Sequence, residues 1–442
     1  MKRNLIYLAA LSALALTACS QDEAVNEIHP VAESAIGFRT NLDRTTVSRG
    51  QNDTTTDNLD NFDVVALNED NSTYFHKLRV TKNESGAWTY SPVHYWPKGK
   101  GLRFFAAGNA GSQGLSEKAN GNFPGFNNYS PHNGGYTYKP GADENTQGEF
   151  GGTSSTIKHA HHDLVYAYYE SNYDNINGGN PGTNGQEPNA VELNFKHALA
   201  QIEVQAKNTN ANRKVEIIGV RIKNLKGSGS GKFKDVPESY AGTTPEYGIE
   251  WTQGTDLSDY FFRFPKGYAT PHVLDGKKGD DGQDKAPINI APGNFNFMVI
   301  PQTTEAWEQQ AGTIDDNGGT YISVACRIYS VSTADGSTTS SETLIYPKND
   351  STTDVDKLYG MAMVPVGFNL EAGKKYTYIL DFSNGSGQVD PEKPTEPEGG
   401  DIDTPDEGEG GDEIDGHPIA FTVKVDGWST GTNGNNGSNL EM

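Results

Sequence analysis

The chain holds only two cysteines in 442 residues, Cys19 and Cys326. One sits near the amino end and the other in the strand-like "YISVACRIYS", so no disulfide framework is expected and Cys326 reads as a buried strand thiol. Positive charge is also in short supply. Lys and Arg number 35 against 58 Asp and Glu, a net charge of −23. Phosphate contacts need clustered Lys and Arg; none cluster here, so nucleic acid is not an expected partner. Helical periodicity is almost missing. No G-x-S-x-G elbow and no Walker loop occurs, and "GSGSG" (Gly227–Gly231) lacks the Lys-Ser/Thr of a phosphate cradle. The chain therefore does not read as an enzyme, and no cofactor is expected.

What is present is strand and turn. Hydrophobic residues make up 34% and aromatics 10%, with 51 glycines. That mixture describes many short strands joined by tight turns. "FDVVALN", "STYFHKLRVTK", "AWTYSPVHYWP", "LRFFAAGN" and "HHDLVYAYYE" form a first block. "AVELNFKHALAQIEVQAKN", "KVEIIGVRIKNL", "SDYFFRFP", "TYISVACRIYSV" and "KKYTYILDF" form a second. Between them "SNYDNINGGNPGTNGQEPN" (Ser171–Asn189) is the linker candidate. The expected class is all-β, with two antiparallel domains over residues 35–186 and 187–384. Short helices are expected at most near "FKHALAQ" and "TTEAWEQQ". Residues 385–416 are acidic and rich in Pro and Gly, too poor in apolar residues to fold alone, and read as a disordered arm. The last segment, 417–442, opens with a strand. In "HPIAFTVKVDGW", Ile419, Phe421, Val423 and Val425 fall at every second position and Trp428 follows.

The amino end has its own pattern. Lys2 and Arg3 precede an apolar run, Leu5–Ala18. A signal-peptide core takes about 7–15 residues and a spanning helix about 20, so residues 1–18 fit a signal peptide. Leu16, Thr17 and Ala18 before Cys19 resemble a bacterial lipobox, which implies that Cys19 carries lipid. An ordinary signal peptide with Cys19 incidental is the competing reading. "SQDE" after it resembles the acidic export signal of Bacteroidota surface lipoproteins, and residues 19–34 read as a tether. The address implied is the outer membrane, at the cell surface or in a pilus.

"FDVVAL", "WTYSPVHYWPKGKGLRFFAA", "HDLVYA", "VELNFKHALAQIEVQ" and "GKKYTYILDF", in that order, resemble the Mfa-like fimbrillins of Bacteroidota. The resemblance implies two tandem transthyretin-like β-sandwich domains and a surface pilus subunit or adhesin. Its implied partners are other pilin subunits and an arginine-specific protease. In that family the first strand leaves after cleavage and a strand from another subunit replaces it. Here the strand would lie in "SAIGFRTNL" and the cut would fall after Arg49, before Gly50, with Arg44 as second choice. Arginines on a solvated loop that is never cut are the plain alternative. The strand with Ile419, Phe421, Val423, Val425 and Trp428 would either be donated or close its own domain.

In "KHAHHD", His159, His161 and Asp163 alternate and share one strand face, the type of trio that binds zinc; an exposed strand start is the simpler reading, and no metal is expected. "KGDDGQDK" and "GTIDDNGG" lack full calcium-loop spacing and read as turns. The aromatic and Asn-rich "FPGFNNYSPHNGGYTY" (Phe123–Tyr138) offers rings and amides to a glycan. A stand-alone lipoprotein binding a glycan or host protein is thus the second functional reading.

Overall fold

The computed structural model describes residues 35–42, 53–54, 58–97, 100–110, 114–119, 123–131, 163–171, 190–234, 239–241, 244–263, 271–291, 296–309, 318–333, 340–348, 358–392, 402–403, 405, 408–428 and 438–441. Every regular element among them is a strand. In chain order the first are β1 (Gly37–Leu42), β2 (Asn61–Asn68), β3 (Thr73–Lys82), β4 (Trp88–Thr89), β5 (Leu102–Gly108), β6 (Ser116–Ala119), β7 (Phe123–Tyr129), β8 (Val165–Ser171) and β9 (Ala190–His197). Next come β10 (Ala200–Lys207), β11 (Arg213–Lys226), β12 (Gly229–Phe233), β13 (Ser239–Ala241), β14 (Thr244–Glu246), β15 (Ile249–Gln253), β16 (Leu257–Arg263), β17 (His272–Leu274), β18 (Ile288–Asn289) and β19 (Phe297–Val299). The remainder are β20 (Gln302–Thr303), β21 (Tyr321–Thr333), β22 (Ser340–Tyr346), β23 (Gly360–Pro365), β24 (Asn369–Leu370), β25 (Lys374–Asp381), β26 (Gln388–Val389), β27 (Ala420–Gly427) and β28 (Ser438–Glu441).

The first sheet has seven strands in the order β1-β9-β8-β5-β2-β3-β4. β2 and β5 lie near its middle and are buried along almost their whole length. Their side chains alternate between two cores. Phe62, Val64, Ala66, Phe104 and Ala106 point into one, while Val65, Leu67, Phe105 and Ala107 point into the other. A sheet covered on both faces selects continuous apolar runs rather than alternation, which is why "FDVVAL" and "LRFFAA" read as they do.

The second core is closed by a four-stranded sheet, β15-β12-β7-β6. That sheet takes β6 and β7 from before residue 186 and β12 and β15 from after it, so the two blocks of sequence interlock there. β9 likewise begins after residue 187 yet hydrogen-bonds into the first sheet. The backbone passes to the next sheet at Ala198 and Leu199, both fully buried.

Two further sheets face each other. One runs β18-β10-β25-β27-β28 and the other β16-β11-β21-β23-β26. Ile202, Val204, Tyr378 and Leu380 from the first pack with Ile217, Val220, Ile322 and Val324 from the second in one apolar cluster. Cys326 lies in this core, fully buried, and burial pushes its thiol pKa far above the usual range.

Two expectations are corrected. Neither "FKHALAQ" nor "TTEAWEQQ" holds a helix among the described residues. In the first, Phe195 faces a core in β9 and β10 starts at Ala200; alternation decides it. In the second, Ala306 bridges to Thr320 and Trp307 is buried. The acidic segment also differs from a disordered arm over its described residues. β26 pairs with β23, Ile402 bridges to Tyr359, and Ile414 is buried in the core. Asp390 forms a buried ion pair with Arg221 and accepts a hydrogen bond from the Tyr321 hydroxyl at 3.0 Å. Composition averages hide such single anchors. One aliphatic side chain at each docking point is enough when a sheet is there to receive it.

Candidate functional site

β1 is an edge strand of unusual kind. It runs parallel to β9, from Gly37 opposite Ala190 to Leu42 opposite Phe195, and β9 is its one neighbour in the sheet order. On its far side the start is held, where Ala35 bridges to Tyr95 and the Ile36 amide donates to the His94 carbonyl at 2.9 Å. Ile36, Phe38 and Leu42 are buried while Asn41 points out to Glu192 and Asn194. The Phe38 ring stands edge-on to Phe62, Tyr90 and Phe104, with centroids 5.9, 5.5 and 6.2 Å away. The Trp88 indole donates to Thr40 Oγ1 at 3.1 Å and the Tyr90 hydroxyl to the Ile36 carbonyl at 2.6 Å. Burying each such apolar side chain is worth about 1.5–3 kcal/mol. The seat of β1 is therefore an apolar channel, walled by aromatics and edged by the side of β9 that faces away from β8.

Residues 43–52 follow β1 and lie outside the described residues, with Arg44, Arg49 and Gly50 among them; Cys19 lies outside as well. The chain is described again at Asp53 and Thr54, and these enter a buried polar knot. The Thr54 amide donates to Asp163 Oδ2 at 2.7 Å, and its hydroxyl donates to the Asp163 carbonyl at 2.9 Å. Asn109 Nδ2 donates to Thr54 Oγ1 at 2.7 Å. Gln201 of β10 donates to the Asp53 carboxylate. His197 Nδ1 lies 2.9 Å from Asp163 Oδ2, and its ring stacks on Trp428 at 3.9 Å with the planes 2° apart. Burial, and then the neighbouring Asp163 carboxylate, push the Asp53 pKa up to about 6; His197, Gln201 and Lys375 act in the opposite direction.

β27 carries the second set of expected residues. It pairs antiparallel with β25 over eight positions, from Ala420 opposite Asp381 to Gly427 opposite Lys374, with β28 on its other side. Ile419 and Val423 are buried in the core between the two facing sheets, with Phe421 and Val425 packed half-buried against it, while Trp428 is buried in the second core of the first sheet. Past the strand, the Trp428 amide donates to the Gly373 carbonyl and the Gly373 amide to the Leu199 carbonyl, both at 2.8 Å. Gly373 has φ 67°, a value that favours glycine. The apolar pattern of β27 repeats that of β1. Ile36-x-Phe38-x-Thr40-x-Leu42 matches Ile419-x-Phe421-x-Val423-x-Val425 in apolar character at three of four positions, with Thr40 standing where β27 has Val423.

The remaining candidates fare differently. Asp163 spends its carboxylate on Thr54 and His197, while His159 and His161 lie outside the described residues. Among the described residues no group of three His, Cys, Asp or Glu is placed to hold a metal. In "KGDDGQDK", Lys278 pairs with Asp284, Asp281 accepts the Gln283 amide at 3.0 Å, and Lys285 reaches back to Asp275 at 2.8 Å. Those carboxylates serve a turn. The 310–317 stretch, which holds most of "GTIDDNGG", is outside the described residues. Phe123, Phe126 and Tyr129 are buried in the second core and present no ring to a sugar; residues 132–138 are outside the described part. Sequence reasoning missed Asp53, Thr54, His197 and Gln201. The one available signal was polar residues at core-facing positions of strands, His197 and Gln201 on either side of a sheet crossing.

A family model described as fimbrillin-like matches residues 45–395. No curated protein sequence matches. Several solved structures are similar in outline. One, described as a cell adhesion protein from Parabacteroides distasonis, is 14% identical, with 90% of this chain and 98% of that one covered at a TM-score of 0.39. A fimbrial assembly protein from the same organism is 12% identical, covering 80% and 92% at 0.30. The fimbrial anchor protein Mfa2 from Porphyromonas gingivalis is 12% identical, covering 58% and 83% at 0.24. TM-scores this low support no residue-to-residue correspondence.

Proposed function

The chain belongs to the fimbrillin-like family, and from that premise we propose that it is a surface-exported structural or adhesive subunit that joins its neighbours by strand exchange. The carrying observation is β1, an edge strand with a buried Ile36, Phe38 and Leu42, one sheet neighbour, and two arginines directly after it. In this reading Cys19 is lipidated and holds the precursor at the outer membrane. An arginine-specific protease cuts after Arg49, or after Arg44 as second choice. β1 then leaves, and the channel beside β9 accepts a strand from another subunit through main-chain hydrogen bonds and alternate pockets.

The donor we assign is the C-terminal strand of a neighbouring copy or a related pilin. Its pattern supports this, since Ile419, Phe421, Val423 and Val425 would fall in the seats of Ile36, Phe38, Thr40 and Leu42. In the free subunit the same strand closes its own sheet. Two functional units fit this scheme, one accepting a strand beside β9 and one closed by β27. The family is one of structural surface proteins, and the chain is assigned no catalytic role.

The test uses surface-sheared material from the native host, run unboiled and boiled on a denaturing gel, with the amino terminus mapped by mass spectrometry. A ladder that collapses on boiling, with a new terminus at Gly50, is expected. A single band that still starts at lipidated Cys19 would sink the subunit reading and leave a monomeric lipoprotein that binds a glycan or host protein.

A further inference from the structure

We infer that Asp53 and Thr54 form a clasp that keeps the processed amino terminus on the molecule, so that cleavage releases β1 and nothing beyond it. This rests on the reading that the chain is cut between β1 and residue 53. The clasp lies downstream of Arg44 and Arg49 alike, so either cut leaves it on the retained fragment.

The geometry carries the inference. Thr54 is held through both its amide and its hydroxyl, at 2.7 and 2.9 Å, by the side chain and carbonyl of Asp163 at the entry to β8. Asn109, at the exit of β5, holds the same hydroxyl at 2.7 Å. Asp53 is bound through its side chain by Gln201 of β10, and its carbonyl accepts from Asn58 Nδ2 at 2.9 Å. One two-residue segment is thus tied to the first sheet on one side and to a strand of the next sheet on the other. All of Asp53, Thr54, Asp163 and Gln201 are more than nine-tenths buried. Each buried polar group that loses its partner carries the full cost of desolvation, so release of this segment is opposed several times over.

β1 has no equivalent tie to residue 53 among the described residues. Its hold is the ladder to β9, an apolar seat and side-chain hydrogen bonds such as Trp88 to Thr40 and Asn41 to Glu192, and in this reading a cut lets it dissociate as a separate peptide. Asp53 is three Cα-to-Cα steps from Gly50, a span of at most about 10–11 Å. The new terminus therefore stays beside the junction. The accepting channel opens along β9 only, and the second core beneath Asp163 and His197 remains sealed.

Hydrogen exchange read by mass spectrometry on the full chain tests this. In the uncut protein, amides of the 53–59 peptide are expected to exchange at least tenfold more slowly than an unstructured peptide. After treatment with an arginine-specific protease, peptides from β1 should be lost while 53–59 keeps its protection. Loss of that protection on cutting overturns the clasp, and so does its lack in the uncut chain. If the protease cuts at neither arginine, the cleavage reading fails alone, and Asn109→Gly in the uncut chain still decides the clasp. That variant keeps the left-handed backbone of Asn109, φ 56°, and deletes its amide. At least tenfold faster exchange at 53–59, with β5 and β8 unchanged, is expected, and unchanged exchange at 53–59 refutes the clasp.

Discussion

Asp53 carries a carboxyl into a junction that water barely reaches, and its pKa is raised from 3.8 to about 6 by burial first and by Asp163 second. The folded chain thus holds this proton more tightly than the unfolded chain does. The group's stabilising contribution is fully present below about pH 4 and is lost as the pH rises through about 6. A shift of about two units corresponds to about 3 kcal/mol over the window. Asp53→Asn keeps an acceptor for Gln201 and removes the titration. Its unfolding free energy should fall less than the wild type's between pH of about 4 and about 7, measured by urea titration; identical slopes would discard the assignment. At the same scale, Asp390→Ala strands Arg221 inside the protein, where Arg221 is 2% exposed. Breaking a buried pair from one side costs about 3–5 kcal/mol. A loss under 1 kcal/mol (the scale of an exposed pair) would mean that water reaches the guanidinium.

At the scale of elements, β1 and β27 share one apolar pattern and differ in how they are held. β1 has one sheet partner, and β27 has β25 and β28. Phe38→Ala should lower the stability of the uncut chain by about 3–5 kcal/mol, the usual range for a buried Phe. In the cut chain the same substitution should change nothing, because the strand has gone. Denaturant midpoints of both forms settle it, and an equal loss in both would show that β1 never leaves. Phe421→Ala is the counterpart on the proposed donor. The boiling-sensitive ladder should weaken by at least about tenfold in affinity, or 1.4 kcal/mol, read from subunit mixing. Unchanged assembly would mean that another strand fills the seat. The pattern of both strands was legible in the sequence, since alternation with period two needs only neighbouring residues. The parallel pairing of β1 with β9 was not, because it joins residues some 150 positions apart, Gly37 with Ala190 and Leu42 with Phe195.

Among the described residues, strands from the two blocks of sequence share sheets. β7 pairs with β12 across the linker candidate, and Trp251 of β15 stacks on Phe126 and donates its indole N–H to the Ala198 carbonyl at 3.0 Å. A fragment ending at residue 186 lacks β9, β12 and β15, which leaves β1 without its sheet partner, β8 paired with β5 alone and β7 with β6 alone. Expressed alone, residues 35–186 should fail to give dispersed amide resonances, and extending them through β15 should restore them. A folded 35–186 fragment would show instead that the four-stranded sheet is dispensable.

The sequence by itself determined the class and the apolar strands, because each rests on local composition or on short-range alternation. It also led to the family through an ordered series of such strands. Tertiary structure alone decided where the sheets divide, since β9 joins the first sheet although it follows the linker. It alone docked the acidic segment through Asp390, Ile402 and Ile414. It alone brought Asp53, Asp163, His197, Gln201 and Trp428 into one knot. The physical reason is common to all three. Burial turns an ordinary polar or isolated apolar residue into an anchor, and burial is a property of what arrives from elsewhere in the chain.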